Sequence, residues 1–136
     1  MHIKKYNSIP DEARKIRTEV FIDEQGFVDE FDETDKISTH FVLFADEIPV
    51  ATCRVFKKDS SFILGRVAVL IQHRGKGYGS AIVTEAENHI KKIGSDSLIL
   101  HSQCRMKDFY LSLGYKEFGD IEYEEDCPHI WMKKQF

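Results

Sequence analysis

The stretch GRVAVLIQHRGKGYGSAIVTEAENHI, residues 65–90, decides the fold of this 136-residue chain. Two apolar runs flank a knot in which Gly75, Gly77 and Gly79, three of the eight glycines, fall close together with Arg74 and Lys76. The run before the knot has the β-branched residues of a buried strand. After it, Ala81, Ile82, Ala86, Ile90 and Ile93 recur at helical spacing until Gly94 ends the series. A helix start leaves backbone N–H groups unpaired, and its dipole favours an anion there. Glycine lets the chain turn and approach a ligand without a Cβ in the way. Strand, glycines, cations and helix in this order predict a phosphate-binding turn. The competing reading is a strand-to-helix turn that uses glycine for its geometry alone.

Outward from this stretch the chain alternates short elements, with no internal repeat, low-complexity tract or linker. HIKKY reads as a first strand. Ser8 and Pro10 open a helix whose Ala13, Ile16, Val20 and Phe21 share one face. HFVLFAD and IPVATCRVF are strands joined at Asp46-Glu47 as a hairpin, and SFILGRVAVL is a fourth strand. SLILHS is a strand, RMKDFYLSL a short helix stopped by Gly114, and YKEFG and HIWMKK two closing strands. The order β-α-β-β-β-α-β-α-β-β predicts one α/β domain over residues 1–136, built around a single mixed sheet.

Composition narrows the function. The net charge of −4 argues against nucleic-acid binding, which needs a basic face. The longest apolar runs, FVLFA and VAVLI, are too short to span a bilayer, and MHIKKYNSIPDEARK has no apolar run that would make it a signal peptide. Three cysteines without framework spacing, Cys53, Cys104 and Cys127, suit a reducing compartment, so a cytoplasmic protein is expected.

The knot is not a Walker A loop, and GKGYGS misplaces the third glycine of the dinucleotide fingerprint. What it does carry, Arg74-x-x-Gly77-x-Gly79 after a strand, resembles motif A of the GNAT N-acetyltransferases, Arg/Gln-x-x-Gly-x-Gly/Ala. The resemblance runs through nearly the whole chain. MKDFYLSLGYKEFG is similar to the family's short helix bearing Phe-Tyr before a Leu-Gly-Tyr/Phe turn. VFIDEQG and HSQCRMKDFY resemble the small bacterial subgroup typified by ElaA. That subgroup commonly reads Asp-Gly-Ile-Pro-His near its end, where this chain has Asp126-Cys127-Pro128-His129, one residue shorter.

The resemblance implies a GNAT-like domain with a mostly antiparallel central sheet flanked by helices. It implies acetyl-coenzyme A as co-substrate, its pyrophosphate cradled by backbone N–H groups of Arg74, Gly75, Lys76, Gly77, Tyr78 and Gly79. The strand at Val67, Ala68 and Val69 would pair with the pantetheine arm, and a backbone N–H there would polarise the thioester carbonyl. Acetyl transfer to an amine then needs a neutral nucleophile and a proton for the departing thiolate, but no covalent enzyme intermediate. The family places a tyrosine at Tyr110, and a phenol has a proton to give; core packing is the alternative for this aromatic. Glu24 and His129 are the candidates on the acceptor side, as base or as amine-binding groups, each weighed against a merely solvated or strand-borne polar residue.

His101, Cys104, Cys127 and His129 offer four possible zinc ligands in two close pairs, but their spacings miss the zinc patterns, so no metal is expected. DEFDETD lacks the glycine and terminal Glu of a calcium loop. Two acidic clusters, residues 29–35 and 122–126, read as solvated surface or as a negative rim attracting a cationic amine. The expected acceptor is a small-molecule amine or a protein lysine, and the family likeness leaves a homodimer open. Two further classes stay open: a non-catalytic acyl-coenzyme A-binding module and a phosphate-binding interaction module.

Overall fold

The computed structural model describes all 136 residues. Seven strands form one sheet: β1 (His2–Tyr6), β2 (Thr39–Ala45), β3 (Ile48–Lys58), β4 (Ser61–Val69), β5 (Ser97–Gln103), β6 (Lys116–Glu124) and β7 (Cys127–Gln135). Their spatial order is β1-β2-β3-β4-β5-β7-β6, and every neighbouring pair is antiparallel except β4–β5. The helices are α1 (Asp11–Arg17), α2 (Tyr78–Ile93) and α3 (Lys107–Ser112). The expected mixed, mostly antiparallel sheet with flanking helices is the architecture observed.

Each face of the sheet buries its own cluster. On one face, Ile82, Val83, Ala86 and Ile90 of α2 pack with Leu43, Cys53, Leu64, Leu100 and Met132 from the strands. On the other, Ala13 and Ile16 of α1 and Val20 and Phe21 just beyond it cover Val42, Phe44, Ala68 and Leu70. After α1 the chain widens into a π-helical turn, Thr18–Glu24, which keeps Val20 and Phe21 on the sheet. The opposite face of β5 and β7 has no helix over it.

Asp46-Glu47 makes the expected hairpin turn, both residues at positive φ (51° and 68°), as a two-residue type I′ connection requires. The same device recurs at Glu125-Asp126, with φ of 48° and 66°. Here the structure departs from the sequence reading. The cluster at residues 122–126 is exposed, as expected of a solvated surface, but it does not lie outside the regular elements: it forms the end of β6 and its turn into β7. Both closing strands run nine residues, well past YKEFG and HIWMKK.

The first acidic cluster is corrected too. Glu30 and Asp35 are buried rather than solvated. Arg17, itself buried, donates to Glu30 Oε2 at 2.8 Å and to Asp35 Oδ1 at 2.7 Å. Arg54 bridges Asp32 and Asp35 at 2.7 and 2.9 Å, and Arg66 reaches Glu30 at 3.0 Å. Three arginines thus neutralise three carboxylates of the loop, and the negative rim shrinks to the exposed Asp29 and Glu33.

Candidate active site

β4 and β5 form ladder pairs only at Ile63↔Ile99 and Leu64↔Leu100. Beyond these pairs they diverge, because β4 carries a bulge. Thr52 of β3 pairs with Ala68 and Arg54 with Gly65, so Arg66 and Val67 together oppose the single residue Cys53. Arg66 takes φ 53°, a left-handed conformation that disfavours any side chain and is held here by its contacts with Glu30 and Asp32. The bulge also switches the facing of the strand. Leu64, Val67 and Val69 pack toward α2, whereas Ala68 and Leu70 face α1. From Gly65 onward, the β5-side edge of β4 has no strand partner.

The split opens a cleft of about 660 Å³ that reaches both sides of the sheet. Its lining includes Val67, Ala68 and Val69, the glycine turn, Tyr110 of α3, and the β5–β7 floor of His101, Gln103, His129 and Trp131. Gly75, Gly77, Tyr78, Gly79 and Arg74 border it, whereas Glu24 lines a smaller neighbouring hollow.

At the glycine turn Gly75 and Gly77 have φ of 79° and 83°, and Gly77 is the N-cap of α2. The Arg74 N–H, expected in the cradle, is instead bonded to Ile71 O at 3.4 Å, and that of Ala81 to Gly77 O at 3.0 Å; those of residues 75–80 between them have no acceptor. Six consecutive free donors at a helix start make a cradle for an anion. Gly79 has a different reason. A Cβ there would come within 3.3 Å of the Phe109 ring, so its absence lets α2 and α3 close together.

Arg74 folds back: Nε donates to Val69 O at 2.9 Å, and its two terminal nitrogens grip Glu24 at 2.8 and 2.7 Å. The hydrogen bond from Arg74 holds the Glu24 carboxyl below its ordinary range. Both Glu24 oxygens are therefore engaged in tying the end of the π-helical turn to the glycine turn. Lys76 is exposed.

Tyr110 is 7% exposed, with its ring edge-on to Phe109 and Tyr115. Burial pushes its phenol far above the ordinary value, so it stays protonated at every working pH. His129 is equally buried, on the other side of the sheet. Its Nδ1 lies 2.9 Å from Cys127 O, its ring centre 5.0 Å from that of His101, and Nε2 3.6 Å from Glu124 Oε2. His101 stacks on Trp131 at 4.4 Å and contacts Glu124 through Nδ1 at 2.6 Å. Sequence reasoning singled out His129 but not Glu124. The one available signal was the alternation of Glu122 and Glu124, which puts both on one face of a strand.

Comparison with known proteins follows the same lines. Residues 8–136 match the family described as "Acetyltransferase (GNAT) domain". A Bacillus subtilis protein named as an acetyltransferase is 34% identical, across 99% of this chain and 97% of its own. Escherichia coli ElaA superposes with a TM-score of 0.87 at 24% identity, covering 98% of this chain and 99% of its own. An aminoglycoside 6'-N-acetyltransferase complexed with coenzyme A superposes at 0.77 with 15% identity, covering 99% of this chain and 97% of its own.

Proposed function

The chain belongs to the GNAT acetyltransferase family, and from that premise we propose that it transfers the acetyl group of acetyl-coenzyme A to a primary amine by direct attack. The observation that carries this reading is the run of free N–H donors at residues 75–80, standing at the open end of the β4–β5 split. The donors suit a pyrophosphate, and the unpaired edge of Val67, Ala68 and Val69 suits an extended amide-bearing arm such as pantetheine. A fold neighbour is described in complex with coenzyme A, which supports the same ligand.

In this reading a β4-edge N–H holds the carbonyl oxygen as it gains charge. Tyr110 gives its proton to the departing sulfur. Arg74 adds a cation beside the cradle, braced by Glu24. Glu24, engaged with both oxygens, is a brace in this scheme and not the base.

Two measurements test the proposal. Acetyl-coenzyme A at a hundred times its Kd adds about 2.7 kcal/mol of stability, which at 2–4 °C per kcal/mol raises Tm by roughly 5–10 °C. ATP at equal concentration gives a smaller shift. Gly77→Val, placing a branched side chain at φ 83°, loses the shift. An equal response to ATP would remove coenzyme A from the reading. Thiol release from acetyl-coenzyme A over a panel of primary amines tests transfer; binding without release with any amine would make the protein a binding module.

A further inference from the structure

We propose that His129 is the base that deprotonates the acceptor amine, and that Glu124, oriented by His101, is the carboxylate that stabilises the imidazolium. This rests on the acetyltransferase reading and adds the acceptor half of the site.

The hydrogen positions follow from the partners. Cys127 O can only accept, so His129 Nδ1, 2.9 Å away, carries a hydrogen, and in the neutral ring that a base requires Nε2 presents its lone pair. A carboxylate likewise only accepts, so His101 Nδ1 donates to Glu124 Oε2 at 2.6 Å. That leaves His129 Nε2 and Glu124 Oε2, both acceptors, 3.6 Å apart with no proton between them. Such a pair repels until a donor arrives. An ammonium N–H supplies that donor, and once Nε2 has taken the proton the same carboxylate becomes the counter-charge of the cation.

The surroundings favour a cationic acceptor. Glu124 lies 3.6 Å from His129 Nε2, the His101 ring 5.0 Å from the His129 ring, and Glu122 is the register partner of His129 on β6, while Arg105 and Glu125 line the same cleft. Carboxylates outnumber cations among them. Both imidazoles belong to the uncovered face of β5 and β7, opposite Tyr110, with the split of the sheet between. The amine is therefore deprotonated on one side and the sulfur protonated on the other.

The protons balance. His129 takes one from the ammonium and passes it to solvent at the mouth of the cleft. The nitrogen attacks, the C–N bond forms and the C–S bond breaks. The nitrogen's second proton, lost in that step, replaces the one that Tyr110 gives to the sulfur. An ammonium and a thioester thus yield an amide, a thiol and one free proton.

The test has two readouts. Long-range ¹H–¹⁵N NMR of the ligand-free protein should show His129 with hydrogen on Nδ1 and none on Nε2; the opposite tautomer overturns the proposal without any acceptor. In Glu124→Gln that tautomer should persist. Thiol release is then measured with spermidine, kanamycin and Nα-acetyl-lysine, and without amine as the slow hydrolysis, in which water is the nucleophile. His129→Gln should lower kcat roughly a hundredfold, the low end for general base catalysis, with Kd for acetyl-coenzyme A unchanged. Glu124→Gln should cost about tenfold, the equivalent of one pKa unit of lost counter-charge. Imidazole in the buffer should partly restore His129→Gly. A His129→Gln variant within twofold of wild type in kcat refutes the role. Failure of the wild type to bind acetyl-coenzyme A refutes the parent reading instead and leaves the tautomer test standing.

Discussion

Replacing Arg17 with Met should cost about 3 kcal/mol, the low end of the range for breaking a buried ion pair from one side. The low end applies because neither carboxylate is fully abandoned. Without Arg17, Glu30 keeps Arg66 at 3.0 Å and Asp35 keeps Arg54 at 2.9 Å. Four contacts vanish, two to Asp35 and two to the side chain and carbonyl of Glu30, along with the stacking of the guanidinium over Phe31 at 4.7 Å. At roughly 2–4 °C per kcal/mol the melting midpoint should fall by about 6–12 °C. The urea midpoint should fall by about 1.5 M for an m-value near 2 kcal/mol/M. A double-mutant cycle with Asp35→Asn isolates the pair.

The pH dependence carries a sign. Burial alone would raise the Asp35 carboxyl, but the hydrogen bond and charge of Arg17, then those of Arg54, hold it well below the usual carboxylate range. The folded state therefore binds fewer protons than the unfolded one. The stability is present above the unfolded carboxyl pKa, about 4, and is lost as pH falls below it. Burial pushes Glu30 the other way, so losing Arg17 leaves it readier to protonate. The gap between wild type and Arg17→Met should accordingly narrow below about pH 4. A loss under 1 kcal/mol at pH 7, or a gap that widens in acid, would refute the view that these ion pairs anchor the loop.

Two other substitutions probe single hydroxyls. Tyr110→Phe should lower kcat about a hundredfold, since general acid catalysis contributes at least that much, while calorimetry finds the acetyl-coenzyme A affinity unchanged; an unaltered kcat returns Tyr110 to core packing. Tyr115→Phe removes the 2.7 Å hydrogen bond to buried Glu87 and leaves that carboxylate to Lys134 at 3.1 Å. Urea unfolding should show a loss of about 1–3 kcal/mol.

The strands and α2 were legible because apolar alternation and helical spacing are local signals. The glycine turn was legible because Gly75 and Gly77 take a conformation that other residues resist. The acidic loop was misread because a run of carboxylates signals exposure unless partners are known. Its partners, Arg17, Arg54 and Arg66, stand 13, 19 and 36 residues away along the chain from the groups they bind. No window of sequence joins them. The salt-slope experiment that an amine-attracting rim would invite, neutralising Asp29, Glu30, Asp32 and Glu33 together, would here take both carboxylates from Arg66 and one each from Arg17 and Arg54, and so measure lost stability.

The split in the sheet was hidden for a related reason. In GRVAVL the alternation of Val67 and Val69 looks the same with or without a bulge one residue earlier. What reveals the bulge is pairing with β3, where two residues of β4 face Cys53 alone. A non-glycine residue at φ 53° persists only where its surroundings over-determine it, and here they do, because Arg66 is anchored to Glu30 and Asp32. The acidic loop thus reaches the cleft through the backbone. Holding Arg66 in its strained conformation turns the next residues of β4 away from β5 and leaves their edge free for a ligand. The same ion pairs that stabilise the loop shape the cleft, so a substitution such as Arg66→Met should weaken acetyl-coenzyme A binding as well as the fold. A variant that melts early yet binds with wild-type affinity would separate the two roles.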